Sequence, residues 1–270
     1  MYSVPYLSLI VPAYNEAGTI VHTLDALGEF LEKQPYSYEI LVCADGTDGT
    51  RELVAERARN DARLGVLGSP DRGGKGRALR QGVLRARGSI IGFLDADYKV
   101  PIDEIDKILP WLDRGCDIAI GSRGLSESRI EVRQPFYRRL GSRGFGVAMR
   151  LIVGLRGIRD TQCGFKFFHG PVARDLFSRQ RIDGYMFDVE ILHLAERSGY
   201  RVKEVGVRWR DDGDSRLQLV AGNWQNLLDL FRIRFGGLRE ASPKSAATSV
   251  PASLGRMALA ERDRVTAGNP

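Results

Sequence analysis

The sequence predicts an α/β fold in which a mostly parallel, Rossmann-like sheet is flanked by helices. Between residues 7 and 121, short apolar runs of strand length alternate with segments of helical periodicity. This alternation is typical of a parallel sheet covered by helices on both faces. The chain has 270 residues, of which 43% are hydrophobic, which is enough for the core of one large domain.

Five strands are predicted in the N-terminal half, because each is an apolar run bounded by polar or glycine-containing loops. They cover 7–11, 38–43, 64–67, 90–94 and 117–121. The segments between them carry apolar residues at helical spacing, as Ile20, Leu24 and Leu27 do in the first. The predicted helices cover 19–33, 51–61, 77–87 and 101–114.

The C-terminal half is predicted to contain amphipathic helices. We expect a loop entering a strand at 160–168, an edge strand at 202–209, and helices at 171–178, 185–198 and 223–235. The last helix has an apolar side formed by Trp224, Leu227, Leu228 and Phe231. Residues 237–270 are rich in Ala, Ser, Pro and Gly without periodicity, which predicts a disordered tail after a domain of residues 1–236.

The composition limits the cellular setting. The formal net charge of +6 indicates an anionic partner. Three scattered cysteines show neither disulfide nor metal-ligand spacing, which favours a reducing cytoplasm. The sequence contains no run of about 18 apolar residues, so we expect no transmembrane helix. The N-terminus lacks the basic region of a signal peptide.

Asp95 and Asp97 form the first candidate site, directly after the apolar run 90–94. Residues two apart in an extended segment share a face, so these carboxylates repel each other unless a cation lies near them. Proteins hold Mg²⁺ by one or two carboxylates together with substrate phosphate oxygens. Open α/β sheets also bind ligands at the carboxyl ends of their strands. The alternative is a solvated turn after a strand.

A second candidate site is the loop 71–76, which contains three glycines and Lys75 and precedes a predicted helix. Backbone N–H groups and the helix dipole favour an anion at such a position, and Lys75 adds a positive charge. The spacing is not that of a Walker loop. A flexible surface turn is the alternative.

Basic residues are concentrated between Gly121 and Asp160, where nine arginines face three acids, a difference of +6. Within this segment, apolar residues interleave with arginines from 136 to 155. A basic amphipathic helix on an anionic membrane surface has this composition. An ordinary surface helix packed on the sheet explains it equally well. No nucleic-acid-binding motif is visible, so nucleic acid is not expected as a partner.

In this order, the motifs resemble the family 2 glycosyltransferases of GT-A fold. The resemblance rests on Val11-Pro-Ala-Tyr-Asn-Glu16, the loop beginning Asp45-Gly-Thr, Asp95-x-Asp97 and Gly121-Ser-Arg123. Three later motifs are similar to the polyprenyl-phosphate branch of that family, in particular to its dolichyl-phosphate glucosyltransferases: Asp160-Thr-Gln-Cys-Gly-Phe-Lys166, Phe187-Asp-Val-Glu190 and Val207-x-Trp209. The resemblance covers roughly residues 5–235.

The resemblance implies that the first half, about 1–121, binds the nucleotide of a sugar nucleotide. Pro12, Tyr14 and Glu16 would line the nucleoside pocket. Asp45 would accept a hydrogen bond from the base. The family usually has a pair of acids where this chain has Ala44-Asp45, so the base contact rests on Asp45 alone.

The resemblance also implies the groups around the diphosphate. Asp95 would contact the ribose or the sugar, and Asp97 would hold Mg²⁺ or Mn²⁺ on the diphosphate, with Asp95 as a second metal ligand. Lys75 lies in the matching donor-side loop, and Arg216 could close over the diphosphate. UDP-glucose is the favoured donor, and GDP-mannose is the alternative.

The second half, about 122–236, is implied to bind a polyprenyl or dolichyl phosphate held by Arg123 and Arg139. An ionised lipid phosphate needs positioning by arginine rather than a strong base. A hydroxyl acceptor would need a base, for which Asp160 and Asp188 are the candidates. Capping of a loop and of a helix is the alternative role of these two carboxylates. Asp97 completes the set of candidate catalytic residues.

Many relatives carry a transmembrane anchor, which this sequence does not predict. We therefore expect a cytoplasmic protein on the inner face of the membrane. Its own basic segment or a separate membrane-anchor subunit would hold it there, and a homo-oligomer stays open as a further partner. The implied reaction is an inverting, metal-dependent hexosyl transfer.

Two other functions stay open. A glycosyltransferase acting on a soluble or protein hydroxyl would be active without lipid. A non-catalytic sugar-nucleotide or membrane-binding module would not hydrolyse a sugar nucleotide with metal. The presence of Asp95, Asp97, Lys75 and Arg123 disfavours the module.

Overall fold

Strands and helices alternate along the chain, as the sequence predicts. The computed structural model describes residues 4–131, 149, 152–155, 157–210 and 224–236. The strands are β1 (Leu7–Tyr14), β2 (Tyr38–Asp45), β3 (Leu64–Leu67), β4 (Ile90–Leu94), β5 (Ile118–Ser122), β6 (Arg129–Ile130), β7 (Phe165–His169), β8 (Val202–Gly206) and β9 (Arg208–Trp209). The helices are α1 (Ile20–Leu31), α2 (Thr50–Ala58), α3 (Lys75–Arg85), α4 (Ile105–Asp113), α5 (Gly170–Arg179), α6 (Phe187–Arg197) and α7 (Trp224–Phe235), with a 3₁₀ turn at Ile102–Glu104.

One mostly parallel sheet organises the described residues, in the order β3-β2-β1-β4-β7-β5-β8. β1 pairs in parallel with β2 and β4, and β5 pairs in parallel with β8. β7 is antiparallel and lies between β4 and β5, with Phe165 opposite Leu94 and Phe168 opposite Ile118. Because β7 runs the opposite way, its first residues lie at the edge where β4 and β5 end.

The sheet is buried on both faces, because side chains alternate along each strand. In β1, Ile10 packs with α3, α5 and α6 on one face. Leu9 and Val11 pack with α1 and α4 on the other face. This continuous burial explains why the strands are near-continuous apolar runs, and it fixes their carboxyl ends at one edge.

The structure corrects three details of the predicted elements. The expected edge strand at 202–209 is divided into β8, at the edge of the main sheet, and β9, which pairs with β6. The helix expected at 101–114 begins as a 3₁₀ turn. In α7, Leu230 and Ile233 pack inward, whereas Leu227, Leu228 and Phe231 of the predicted apolar side are exposed.

Several predictions lie outside the described residues: most of the basic helix at 136–155, Arg139, Arg216, the side chain of Trp224 and the tail at 237–270. Among the helices that are described, none combines the length and apolarity needed to cross a bilayer.

Candidate active site

The candidate site residues meet at the carboxyl edge of the sheet. β1 ends at Tyr14, β2 at Asp45 and β5 at Ser122, one residue before Arg123. Asp95 directly follows β4, and the antiparallel β7 begins at this edge. The topology therefore brings together side chains that are far apart in sequence, at the edge where open α/β sheets bind ligands.

Each carboxylate after β4 faces a lysine. Lys75 Nζ lies 2.5 Å from Asp95 Oδ1, and Lys99 Nζ lies 3.0 Å from Asp97 Oδ2. Asp95 also lies against the backbone of Gly164, where a Cβ would come within 2.1 Å of its Oδ2. Any residue larger than glycine at this position would push the Asp95 carboxylate out of the site.

Asp97 is the least satisfied carboxylate of the site. Its Oδ1 atom is buried and has no hydrogen-bond partner, which is unusual for a charged group. Burial raises the pKa of Asp97, and the charge of Asp95 raises it further, while Lys99 opposes both. A cation would relieve the repulsion and occupy the free oxygen. This carboxylate pair therefore fits a hard divalent ion that takes its remaining ligands from a substrate.

The N-terminus of α3 differs from the predicted anion site. The backbone N–H groups of Gly76 and Arg77 donate to the carbonyl oxygen of Asp183, at 2.8 and 3.2 Å, so these two donors are already used. The positive charge expected there is present as Lys75. Burial disfavours that charge, but Asp95 and Asp188 outweigh burial and raise the pKa of Lys75.

Asp45 organises the loop that follows β3. Its Oδ1 accepts the backbone N–H of Ser69 at 3.1 Å, and its Oδ2 accepts that of Gly73 at 2.9 Å. Asp45 is only 7% exposed. The predicted contact with a base would use the lone pairs that these two bonds leave, and the carboxylate also holds the loop that leads to Lys75.

The predicted nucleoside pocket lies at the end of β1. Tyr14 is exposed, and the Arg72 guanidinium lies 4.6 Å from the centre of its ring. Pro12 is half-buried in β1, opposite Cys43 of β2. The Glu16 carboxylate accepts the Thr19 hydroxyl at 2.8 Å. The three predicted residues therefore lie in the last residues of β1 or just after it, and Arg72 is an additional cation beside Tyr14.

Two residues at this edge have left-handed backbone conformations that non-glycine residues rarely adopt. Asn15 has a φ of 54° and Tyr98 a φ of 53°. The Asn15 side chain accepts the N–H of Thr47 at 3.1 Å, which ties the end of β1 to the loop after β2. Such strained residues cluster at functional sites, and here they flank the motifs after β1 and β4.

Arg123 and Asp160 form a preorganised pair. The Arg123 Nε and Nη2 atoms donate to Asp160 at 2.7 and 2.9 Å, and its backbone N–H donates at 2.9 Å. Burial alone would raise the pKa of Asp160, but Arg123 holds it at about 2. The guanidinium also lies 5.5 Å from the centre of the Trp209 ring. Asp160 is therefore a permanent anion that orients Arg123.

Asp188 is engaged with Lys166 in the interior of the site. Lys166 Nζ lies 2.6 Å from Asp188 Oδ1 and 2.6 Å from the carbonyl oxygen of Cys163. The side chains of Lys166 and Asp188 are only 1% and 5% exposed. Burial raises the pKa of Asp188, against the opposing charges of Lys166 and Lys75.

Sequence reasoning gave no role to Lys99, Lys166, Gly164 or Arg72. Lys166 could have been noticed, because it is the one charged residue in the apolar run of β7. Gly164 lies in the same motif of residues 160–166 as Lys166, whereas Lys99 gave no signal, since its importance comes from its contact with Asp97. Within the described part of the chain, no group of three or more His, Cys, Asp or Glu side chains could hold a metal ion.

The chain belongs to a known enzyme family. The profile of the family described as Glycosyl transferase family 2 matches residues 8–177. This family assignment confirms the resemblance seen in the motifs, and the mostly parallel sheet with its flanking helices is the GT-A fold.

Individual relatives extend the similarity over most of the chain. A dolichyl-phosphate beta-glucosyltransferase of Drosophila melanogaster is 37% identical over 243 residues, covering 84% of this chain and 74% of that protein. A dolichyl-phosphate beta-glucosyltransferase of Trichomonas vaginalis is 34% identical over 241 residues, covering 84% and 72%.

A solved structure confirms the fold. Glucosyl-3-phosphoglycerate synthase from Mycobacterium tuberculosis, crystallised with Mn²⁺, UDP-glucose and glycerol 3-phosphate, has a TM-score of 0.62. The alignment covers 87% of this chain and 85% of that one, at 19% sequence identity. This likeness identifies the architecture.

Proposed function

We propose that this protein transfers a hexose, with inversion, from a nucleotide sugar to a polyprenyl or dolichyl phosphate. UDP-glucose is the favoured donor and GDP-mannose the alternative. The names of the two relatives, both dolichyl-phosphate beta-glucosyltransferases at 34% and 37% identity, support the acceptor class and the sugar.

The observation that carries the proposal is that the two carboxylates expected to act as a base toward a hydroxyl acceptor are both bound to cationic side chains. Asp160 is bound in bidentate fashion by Arg123 and has a pKa of about 2, so it is a poor proton acceptor near neutral pH. Asp188 is enclosed with Lys166. An acceptor that is already ionised, such as a phosphate monoester, does not need either of them as a base.

Arg123 is the described cation best placed to position such an acceptor. It lies at the same sheet edge as Asp95, close enough for their charges to interact, and its side chain is 33% exposed. Asp160 fixes two of its donors, which leaves Nη1 for a phosphate oxygen. Arginine suits this role because its planar fork keeps a fixed orientation.

The donor diphosphate would lie between the carboxylate pair and the lysines. Asp97, with Asp95, would hold Mg²⁺ or Mn²⁺, which would stabilise the negative charge of the departing nucleoside diphosphate. The free Oδ1 of Asp97 supports this assignment. Lys75 would add positive charge beside the diphosphate, and Asp45 and Tyr14 would contact the nucleoside.

The transfer is a single displacement. A lipid phosphate oxygen attacks the anomeric carbon, and the new C–O bond forms as the bond to the diphosphate breaks. The nucleoside diphosphate leaves with the electron pair, so no proton transfer is required. Asp160 acts here as a positioning residue, because it holds Arg123 rather than contacting the reacting atoms.

The reaction requires access to a membrane lipid. We therefore place the protein at the cytoplasmic surface of the membrane, as a peripheral protein or in association with an anchor subunit. The excess of six positive charges between residues 121 and 160 supports an anionic surface or acceptor as a partner.

The test is a donor screen read by mass spectrometry. UDP-glucose and GDP-mannose are each offered with a short polyprenyl phosphate, or with the corresponding polyprenol, in Mn²⁺, Mg²⁺ or chelator. We expect a hexosyl phosphate product that requires the phosphate and the ion. Equal transfer to the polyprenol or to a soluble hydroxyl would replace this proposal with the hydroxyl-acceptor alternative. Absence of both transfer and metal-dependent hydrolysis would favour a binding module.

A further inference from the structure

α7 presents apolar side chains to the outside of the molecule. Leu227, Leu228, Phe231 and Phe235 are 38%, 49%, 46% and 73% exposed. Phe231 lies four residues after Leu227 and three after Leu228, and Phe235 lies four residues after Phe231, so the four side chains form one continuous stripe along the helix. The opposite side is anchored, since Leu230 and Ile233 are buried in the core that also contains α6. A contiguous exposed apolar patch of this kind marks an interaction surface.

A small pocket borders this stripe. It has a volume of about 220 Å³ and is lined by Val153, Gly154, His193, Glu196, Arg197 and Arg234. Arg234 belongs to α7 and lies three residues after Phe231, so it projects from the edge of the stripe. Its guanidinium reaches the 152–155 segment, since a Cβ on Gly154 would be 3.5 Å from its Nη1 atom.

Among the residues that line the pocket, positive charge exceeds negative charge. Arg197 and Arg234 form no ion pair within the described residues, and Glu196 is the single acid among the lining residues. His193 is only 4% exposed, and its Nε2 atom has no hydrogen-bond partner. Burial lowers the pKa of His193, and the charges of Arg197 and Arg234 lower it further. An anion would accept from both guanidiniums and from Nε2–H of a neutral imidazole.

We propose that this pocket binds the phosphate of an anionic phospholipid headgroup, while the stripe on α7 lies in the surface of the same membrane. The apolar stripe distinguishes this ligand from a free phosphate, which would need no hydrophobic surface beside its site. Helices with an apolar face bordered by basic residues bind at the lipid–water interface in this way. The inference deepens the proposed function, because docking through α7 would hold the enzyme where its lipid acceptor is found.

The test is co-sedimentation of the full chain with phosphatidylcholine vesicles, with or without phosphatidic acid. We compare the wild type with the double variant Arg197→Gln/Arg234→Gln and with Leu228→Ser. Matched controls are Arg59→Gln/Arg85→Gln and Leu84→Ser, because Arg59, directly after α2, and Arg85 and the 48% exposed Leu84, both in α3, are exposed residues away from α7. The assay contains neither sugar nucleotide nor polyprenyl phosphate, so docking is measured apart from transfer.

We expect the wild type to bind only the vesicles that contain phosphatidic acid, more weakly as salt rises. Each interfacial arginine should contribute about fivefold to the partition coefficient between vesicles and solution, so the double variant should bind the vesicles about 25-fold more weakly. Leu228→Ser should weaken it several-fold, and each control should stay within about twofold of the wild type. Transfer to a short polyprenyl phosphate in detergent, measured separately, should be the same in all variants as in the wild type, and the vesicle result does not depend on it.

Three results would overturn the inference. The wild type could remain in the supernatant with anionic vesicles at low salt. The pocket variants could bind vesicles as well as their matched controls do. Inorganic phosphate could shift the His193 ring resonances in NMR spectra while vesicle binding stays independent of Arg197 and Arg234, which would make the pocket a site for a free anion.

Discussion

Two arginine–carboxylate pairs that use the same three arginine donors lie at opposite edges of the sheet, although the Arg87 guanidinium donates to one carboxylate oxygen and that of Arg123 to both. At the amino edge, Arg87 donates its backbone N–H, Nε and Nη2 to Glu39 at 2.8, 3.0 and 2.8 Å. At the carboxyl edge, Arg123 donates the same three groups to Asp160 at 2.9, 2.7 and 2.9 Å. The local motif therefore does not distinguish a structural pair from a functional one.

The surroundings of the two pairs differ. Glu39 also accepts the Ser8 hydroxyl at 2.6 Å, and its pKa is lowered because these hydrogen bonds outweigh burial. Near Arg123, Asp97 and Asp188 have raised pKa values, and Asp97 has an oxygen without a partner. The Glu39 pair is satisfied by the protein alone, whereas the surroundings of the Arg123 pair are arranged for charges that a ligand brings.

The largest expected effect is that of Asp97→Asn at the carboxyl edge. This change removes the proposed metal ligand, and we expect turnover to fall about a thousandfold, as for loss of a group that stabilises a leaving charge. The melting temperature should not fall, because burial and Asp95 already disfavour the Asp97 charge. Steady-state kinetics and thermal unfolding measure the two effects. Full activity of this variant in chelator would remove Asp97 from the site.

The variants Arg123→Ala and Arg87→Ala test whether the two pairs have different roles. Each leaves a largely buried carboxylate without its cation, so each should lower the free energy of unfolding. The loss should be about 3 kcal/mol for Arg123→Ala and smaller for Arg87→Ala, because the Arg87 side chain is 56% exposed. Only Arg123→Ala should raise the KM for polyprenyl phosphate, by roughly tenfold or more. The KM for the sugar nucleotide should change little. Arg123→Lys should rescue partly, since lysine lacks the fork. Equal effects of both alanine variants on the lipid KM would show that Arg123 acts only through stability.

Gly164→Ala tests the contact that holds Asp95. A Cβ at this position would meet Asp95 Oδ2 at 2.1 Å, whereas at Gly28 of α1 it would meet nothing within 4 Å. We expect Gly164→Ala to lower turnover about tenfold, as a displaced site carboxylate would. Gly28→Ala should keep full activity and gain about 0.5–1 kcal/mol of stability from helix propensity. Unchanged turnover in Gly164→Ala would mean that the position of Asp95 is not critical.

The smallest effect concerns pH. The pKa of Asp160 falls from its ordinary 3.8 to about 2 in the folded protein, so the ionised form contributes about 2 kcal/mol of stability. Because the folded pKa is the lower one, this contribution is present above about pH 4 and is lost as the pH falls towards 2.

Urea unfolding of the wild type and Asp160→Asn from pH 7 to pH 3 measures this contribution. The difference in the free energy of unfolding between the wild type and the variant should be constant down to about pH 4 and then shrink. A difference that grows on acidification contradicts the assigned ion pair.

The sequence predicts the strands well because each buried strand is a distinct apolar run. It also predicts Asp95 and Asp97 as site residues, since polar residues that follow such runs collect at one edge, and the family resemblance adds Arg123; the structure places all three at that edge. It does not predict that Arg123 is bound by Asp160, or that β7 lies between β4 and β5, because both depend on pairing across long sequence separations. The outward face of α7 is missed for a related reason: periodicity identifies an apolar side but not what covers it.

The most direct test of the difference between the two edges is calorimetric titration of UDP, with and without Mn²⁺, into the wild type, Asp97→Asn and Arg87→Ala. We predict that Mn²⁺ strengthens UDP binding at least about tenfold in the wild type and in Arg87→Ala, and has no effect in Asp97→Asn. If Asp97→Asn keeps the full Mn²⁺ enhancement, the carboxylate pair at the carboxyl edge does not hold the ion, and the proposed site is wrong.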